Sequence, residues 1–175
     1  MTIGRARGAP LRKMAMLKEL EPIASKLREA RSILNRTLDS VTEAQAARIR
    51  VTPEWSVKDE VAHLAGAERG MFGIAQRMAK GEDPQLPPDY NNDTFNARQV
   101  AKRKEKSLAD IRAELDATHT ELMEFLEHLS QEQLDLCGQH PLEGEVKLKE
   151  LLVIIYSHET THTNEISAKL REAKK

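Results

Sequence analysis

Residues 151–170, LLVIIYSHETTHTNEISAKL, decide the fold class of this 175-residue chain. The first six residues alone could form a buried strand, because a short apolar run has no period of its own. Placed at 100° per residue, however, the segment and its flank share one face made of Leu148, Leu151, Leu152, Ile155, His162 and Ile166. The sequence therefore predicts a long helix over residues 147–173 with one buried side.

The same helix carries HETTH at 158–162, which matches the H-E-x-x-H pattern of zinc metalloproteases. His158 and His162 both point towards the buried face, and imidazoles four residues apart can share one metal ion. The alternative to metal binding is that each inward histidine is a structural core residue, satisfied by a hydrogen bond inside the bundle. A protease of this type usually takes its third metal ligand from further along the chain. Six residues after His162, where one class of these proteases has that ligand, this chain has Ala168, and only 13 residues follow His162. We therefore expect no protease site.

Three more long helices are predicted, over residues 22–38, 57–80 and 107–129. Ser56 with Asp59 and Ser107 with Asp110 have the spacing of capping boxes at two of the helix starts. Residues 94–106 form a further helical piece, and CGQHPLEGE at 137–145 is expected to be a loop. The fold predicted is all-α, a four-helix bundle with a long crossover between its second and third helices.

The composition indicates which binding partners and which cellular compartment to expect for this protein. The 27 basic and 28 acidic residues give no general attraction to nucleic acid or to anionic membranes. The longest apolar run is too short to span a membrane. The single cysteine, Cys137, allows no intrachain disulfide, which favours the reducing cytoplasm. We expect a flexible basic tail over residues 1–16 and one domain over residues 17–175.

A third metal ligand has to come from upstream of the HETTH segment. His119 and His140 are expected on exposed surfaces, and His128 lies near the end of its helix, where a positive charge interacts favourably with the helix dipole. His63 lies nearly opposite the apolar arc of its helix, on a face with Gly66 and Gly70. That surface of small residues could admit a ligand or a closely packed helix, and the helical pattern leaves both alternatives open.

EWSVKDEVAHLAGAE at 54–68 resembles the second-helix signature of the DinB-like (YfiT-like) superfamily of metal-binding four-helix bundles. That signature is an aromatic residue, a Ser or Thr, an acid three residues later and then a histidine. The pair His158 and His162 resembles the family's other ligand segment, and the resemblance extends over about residues 17–173. It implies a mononuclear site on His63, His158 and His162, and three protein ligands leave a position open for a substrate or water.

The resemblance also implies an activity, since characterised members include enzymes that use low-molecular-weight thiols such as bacillithiol or mycothiol. We expect a divalent metal, zinc or nickel, that activates a thiol or water for transfer to, or hydrolysis of, a small electrophile. The inward-facing Glu159 is the candidate catalytic base or a residue that supports a metal ligand, and the alternative is a surface glutamate paired with a Lys or Arg. The crossover over residues 81–96 is the expected source of substrate contacts, with Tyr90 and Asn96 as candidates.

The alternative is a non-catalytic bundle that binds a metal or ligand in stress response or self-protection. A basic cluster motivates it, formed by Arg98, Lys102, Arg103, Lys104 and Lys106. Neighbouring acids balance this cluster, so we expect a solvated helix face and no nucleic-acid binding. A homodimer is expected because bundles of the resembled family often pair.

Overall fold

The computed structural model describes residues 16–82 and 86–175, so nearly all of the predicted N-terminal tail lies outside the described residues. The helices are α1 (Glu21–Leu38), α2 (Glu43–Arg48), α3 (Val57–Met78), α4 (Asn92–Ala101), α5 (Leu108–Leu126), α6 (Gln131–Leu134) and α7 (Leu148–Glu172). The four long ones, α1, α3, α5 and α7, form the predicted four-helix bundle. In this part of the chain, no helix combines the length and apolar character needed to cross a membrane.

Capping side chains fix where the bundle helices begin. Ser56 accepts a hydrogen bond from the backbone N–H of Asp59, and the Asp59 carboxylate accepts one from the N–H of Ser56 at 2.9 Å. Ser107 and Asp110 form the same reciprocal pair at the start of α5. Both predicted capping boxes are confirmed. Each satisfies N–H groups that a helix start otherwise leaves without a partner.

The apolar face of α7 forms the centre of the bundle, as its period predicts. Its side chains with at most 1% exposure are Leu148, Leu151, Leu152, Ile155 and Ile166. They pack against α1 on one side and α3 on the other, while α3 also packs against α5. Burial of each such side chain stabilises the fold by about 1.5–3 kcal/mol. The position of α7 therefore fixes where its histidines lie relative to α3.

The crossover between α3 and α5 lays a helix directly on α3. A methyl group at Gly66 would stand only 2.5 Å from the Cβ of Gln99 in α4, and one at Gly70 would stand 3.4 Å from the Phe95 ring. The small-residue face of α3 therefore serves a close helix contact at Gly66. No residue of α4 is fully buried, so this helix has no core of its own. Its contact along α3 is what holds it in place.

The segment expected to be a loop at 137–145 includes most of a β-hairpin, so that expectation was wrong. β1 (Cys137–His140) pairs antiparallel with β2 (Gly144–Lys147), and Gly144 has a φ of +75° at the return. Four-residue strands rich in Gly and polar side chains give too short an alternation to recognise. The hairpin buries His140 to 8% exposure, so the expectation that His140 is exposed was also wrong.

A buried guanidinium joins α1, α3 and α7 inside the bundle. Arg31 of α1 donates to Glu159 of α7 at 2.7 Å and also pairs with Glu68 of α3. All three side chains are at most 6% exposed, so two carboxylates share one buried positive charge. Burial raises the pKa of Glu68 to about 7, although the charge of Arg31 acts in the opposite direction.

This pKa predicts how Glu68→Gln changes stability with pH. The native state retains the Glu68 proton between about pH 4.5 and pH 7, whereas the unfolded chain has lost it, so the free energy of unfolding falls as the pH rises through that window. Glutamine has no proton to lose. We expect Glu68→Gln to match the parent near pH 4.5 and to exceed its stability at pH 8 by about 1–3 kcal/mol in urea unfolding.

The exposed pair of Glu121 with Arg69 supplies the control, because Glu121→Gln should show no such gain at pH 8. A Glu68→Gln protein equally destabilised at both pH values would contradict the prediction and show that Arg31 holds Glu68 ionised.

A second prediction concerns the contact between α3 and α4. Gly66→Ala should lower the free energy of unfolding by about 1–3 kcal/mol, because Gln99 contributes its Cβ and cannot swing away. Gln99→Ala should fail to relieve the loss, since alanine keeps that carbon. Gly73→Ala on the same helix has no atom within 4 Å and should be neutral or stabilise by up to about 1 kcal/mol. Equal effects of the two glycine variants would rule out the close contact.

Candidate metal centre

Helices α3 and α7 bring three histidine side chains to one point. His63 lies two turns into α3, and His158 and His162 lie one turn apart on α7. The Nε2 atom of His158 is 3.2 Å from the Nε2 of His63 and 3.2 Å from the Nε2 of His162. One ligand atom from each ring lies within 4.8 Å of the other two. The three predicted ligand residues are thus neighbours in the fold.

These separations suit a tetrahedral ion. Imidazole nitrogens bound to zinc at 2.0–2.1 Å in tetrahedral geometry lie roughly 3.3 Å from each other. The two closest Nε2 pairs, at 3.2 Å, already have nearly that spacing. The cluster therefore fits a divalent ion with little movement of the rings.

Glu60 fixes which nitrogen of His162 is free to bind. Its Oε1 lies 2.6 Å from the Nδ1 of His162, and Oε2 of Glu165 lies 3.0 Å from the same atom. Two carboxylates on Nδ1 keep the proton there and leave the lone pair of Nε2 available. Glu60 is 1% exposed and was not among the predicted site residues. No pattern in the sequence marks it, because its partner, His162, lies on a different helix.

Burial holds the other two histidines neutral, which is the form that binds metals. It lowers the pKa of His63 to about 4 and that of His158 to about 3, with a further lowering from the neighbouring His162. Burial also acts to lower the pKa of His162, but the hydrogen bond and charge of Glu60 outweigh it and raise that pKa. At neutral pH, His63 and His158 therefore present unprotonated nitrogens.

Trp55 is the residue that stands against His63 on the side of the helix start. The two ring centroids are 5.1 Å apart at an interplanar angle of 37°. It is the chain's single tryptophan, so its fluorescence reports on this site alone. The Nδ1 atom of His63 is buried and has no hydrogen-bond partner among the described residues.

Glu159, the predicted catalytic base, points into the bundle. It is 3% exposed and accepts the 2.7 Å hydrogen bond from Arg31. Its Oε2 is buried without a hydrogen-bond partner in the described part of the chain. Its carboxylate does not line the cavity beside the histidines. Its catalytic role stays a prediction.

A cavity of about 500 Å³ opens beside the cluster, between α3, α7, the α4 segment and the hairpin. His63 and His158 form part of its wall, and most of the remaining lining is apolar. The two residues expected to contact a substrate, Tyr90 and Asn96, both line it. His128 is exposed, whereas His119, expected to be solvated, is half-buried. Neither belongs to the three-histidine cluster.

Comparison with known proteins identifies the family. A profile described as the DinB superfamily matches residues 26–166, most of the chain. The chain belongs to the DinB superfamily. A search of curated proteins found no match.

Solved structures of DinB-like proteins share this architecture. YfiT from Bacillus subtilis, described as a probable metal-dependent hydrolase with an unusual four-helix bundle topology, is 19% identical with a TM-score of 0.76. The match covers 98% of this chain and 94% of YfiT. A mycothiol-dependent maleylpyruvate isomerase is 16% identical with a TM-score of 0.71 over 84% of this chain. This chain spans only 60% of the isomerase.

The colibactin self-resistance protein ClbS, solved in complex with double-stranded DNA, is similar as well. It is 17% identical with a TM-score of 0.71, and the match covers 86% of this chain and 94% of ClbS. At these identities the likeness establishes the fold.

The contact between Glu60 and His162 predicts a change in metal affinity. Glu60→Gln keeps the size of the side chain but removes the charge that orients His162, so zinc affinity should fall about tenfold or more. The zinc affinity is measured by competition with a chromophoric chelator, and Trp55 fluorescence reports zinc binding at the site. Glu165→Gln is the matched control: that carboxylate is half exposed, so affinity should change by less than about threefold. Equal losses in both variants would remove the special role of Glu60.

Proposed function

We propose that this DinB-superfamily protein is a metal-dependent enzyme of the thiol S-transferase or hydrolase type that acts on a small electrophilic molecule. The observation that carries the proposal is a three-histidine cluster at the wall of a mostly apolar cavity of about 500 Å³. A structural site would be closed by four protein ligands, whereas three leave a position facing the cavity.

His63, His158 and His162 would hold the ion, with zinc or nickel suited to imidazole ligands. When bound, such an ion supplies the positive charge that stabilises a thiolate or hydroxide near neutral pH. Glu60 keeps the proton of His162 on Nδ1, so the Nε2 of that ring faces the cluster. The apolar walls exclude water from the cavity and favour a substrate with an apolar body.

Glu159 is proposed as the residue that handles a proton during the reaction. Its buried Oε2 without a partner supports this role, because such an atom can accept a proton when the side chain turns. The hydrogen bond to Arg31 supports the competing view that Glu159 positions α7. Glu159→Gln separates the two, since loss of activity with full metal content would assign the proton-handling role.

A non-catalytic ligand-binding bundle is the second candidate. The likeness to a self-resistance protein favours it, as does the ion pair that occupies Glu159. The net charge of −1 and the pairing of Arg103 and Lys106 with Glu114 support the absence of nucleic-acid binding, which the DNA complex of ClbS leaves open. A cytoplasmic location, a homodimer and a separate tail over residues 1–16 stay predictions.

Metal content tests the proposal first. Elemental mass spectrometry on untagged protein should find close to one zinc or nickel per chain, and His63→Ala and His162→Ala should each lose it. His128→Ala, in an exposed position, is the control and should keep it.

Thiol transfer to 1-chloro-2,4-dinitrobenzene should then be measured with several low-molecular-weight thiols, and it should disappear on chelation. A metal-loaded protein that accelerates neither this transfer nor ester hydrolysis would favour the ligand-binding bundle. A protein that takes up neither zinc nor nickel would end the enzyme proposal.

A further inference from the structure

His140 is a second buried histidine beside the cavity, contributed by the hairpin. It is the last residue of β1 and lines the same cavity as His63 and His158. Its Nδ1 accepts hydrogen bonds from two backbone N–H groups of the turn, those of Leu142 at 3.3 Å and Glu143 at 3.1 Å. The turn therefore holds the ring in one orientation.

These two bonds also assign the proton on the ring. A nitrogen that accepts from two N–H groups carries no hydrogen, so the neutral imidazole has its hydrogen on Nε2. Burial lowers the pKa of His140, which keeps the ring neutral at pH 7. Among the residues that the structure describes, none accepts a hydrogen bond from this Nε2.

The surroundings of His140 make this donor distinctive. The cavity that it lines has a wall formed largely by apolar side chains such as Met71, Ile74 and Ile154. A positive charge on a protonated His140 would lower the pKa of His158, so the two rings are close enough to interact electrostatically. A fixed N–H donor thus accompanies the histidine cluster in a largely apolar cavity.

We propose that His140 determines substrate specificity by donating its Nε2 hydrogen to an oxygen of the substrate. The substrate class is then a small molecule with an apolar body and a carbonyl or carboxylate oxygen close to the reacting group. This inference rests on the proposed function, because it takes the histidine cluster as the place where the substrate reacts.

The physical reason is the penalty that arises when a ligand fills the cavity and removes water from the Nε2–H donor without giving it another partner. A ligand with an oxygen in reach satisfies Nε2–H, whereas the same ligand without the oxygen leaves it unpaired and binds less well. One such hydrogen bond is worth roughly a five- to tenfold difference in affinity. The donor would therefore select among ligands of equal size and apolarity.

A pair of thiols tests the inference on the cobalt-loaded protein. 2-Mercapto-1-phenylethanone carries a carbonyl next to its thiol carbon, and 2-phenylethanethiol has the same skeleton without that oxygen. Binding is followed by the cobalt absorption bands and by Trp55 fluorescence, so no turnover is needed. The parent should bind the ketone roughly five- to tenfold more tightly than the plain thiol.

Two substitutions separate donation from a structural role of His140. Asparagine places a carbonyl where Nδ1 lies and can accept the two turn N–H groups, but it has nothing at the position of Nε2. Glutamine can place an amide N–H near the position of Nε2 but does not replace Nδ1. We expect His140→Asn to lose the preference for the ketone with unchanged affinity for 2-phenylethanethiol, and His140→Gln to keep most of it.

The possible results distinguish a failure of the role proposed for His140 from a failure of the proposed function. If the parent takes up no cobalt, the proposed function fails and the inference fails with it. If the cobalt-loaded parent binds neither thiol, the thiol S-transferase form of the proposed function fails, and the inference fails with it. If both thiols bind equally, or His140→Asn keeps the preference, the inference alone is overturned. Weaker binding of both thiols by both variants would assign His140 a structural role and would likewise overturn it.

Discussion

The contact between α3 and α7 is the constraint on which the rest of this DinB-superfamily protein depends. Both helices carry ionisable side chains on their inward faces, where water cannot solvate them. The buried carboxylates among them pair with side chains of another helix: Glu60 with His162, and Glu68 and Glu159 with Arg31 of α1. These pairs fix the register of the two helices. The same register brings His63 opposite His158, so the geometry of the cluster and the polar core of the bundle are set together.

The fold was predictable because its signals are local and periodic. The inward face of α7 needs only a 3.6-residue repeat, and the starts of α3 and α5 need only a Ser followed three residues later by an acid. His158 and His162 follow from the same repeat. His63 was different, since its helical face left a ligand and a close helix contact equally open. The resemblance to a known signature favoured the interpretation of His63 as a metal ligand. The fold places His63 beside His158 and His162.

What the sequence could not predict depends on contacts between distant segments. Glu60 gains its role from a histidine about a hundred residues away, and nothing in the first turn of α3 marks it. The hairpin was missed because four-residue strands alternate too briefly to show a period. Its turn folds back on the Nδ1 of His140, and that contact turns an apparent loop histidine into a buried one. Glu159 illustrates the converse, because its inward direction was correct while its partner, Arg31, could not be inferred.

The absence of fully buried side chains in α4 has a consequence for access to the cavity. This helix contributes no fully buried side chain and rests on α3 largely through the space left by Gly66 and Gly70. Segments with few buried contacts open with a free energy well below that of global unfolding. The amide hydrogens of α4 should therefore exchange with solvent much faster than those of α3 beneath it. Such local opening would give a molecule a route through this wall while the helices that carry the histidines stay folded.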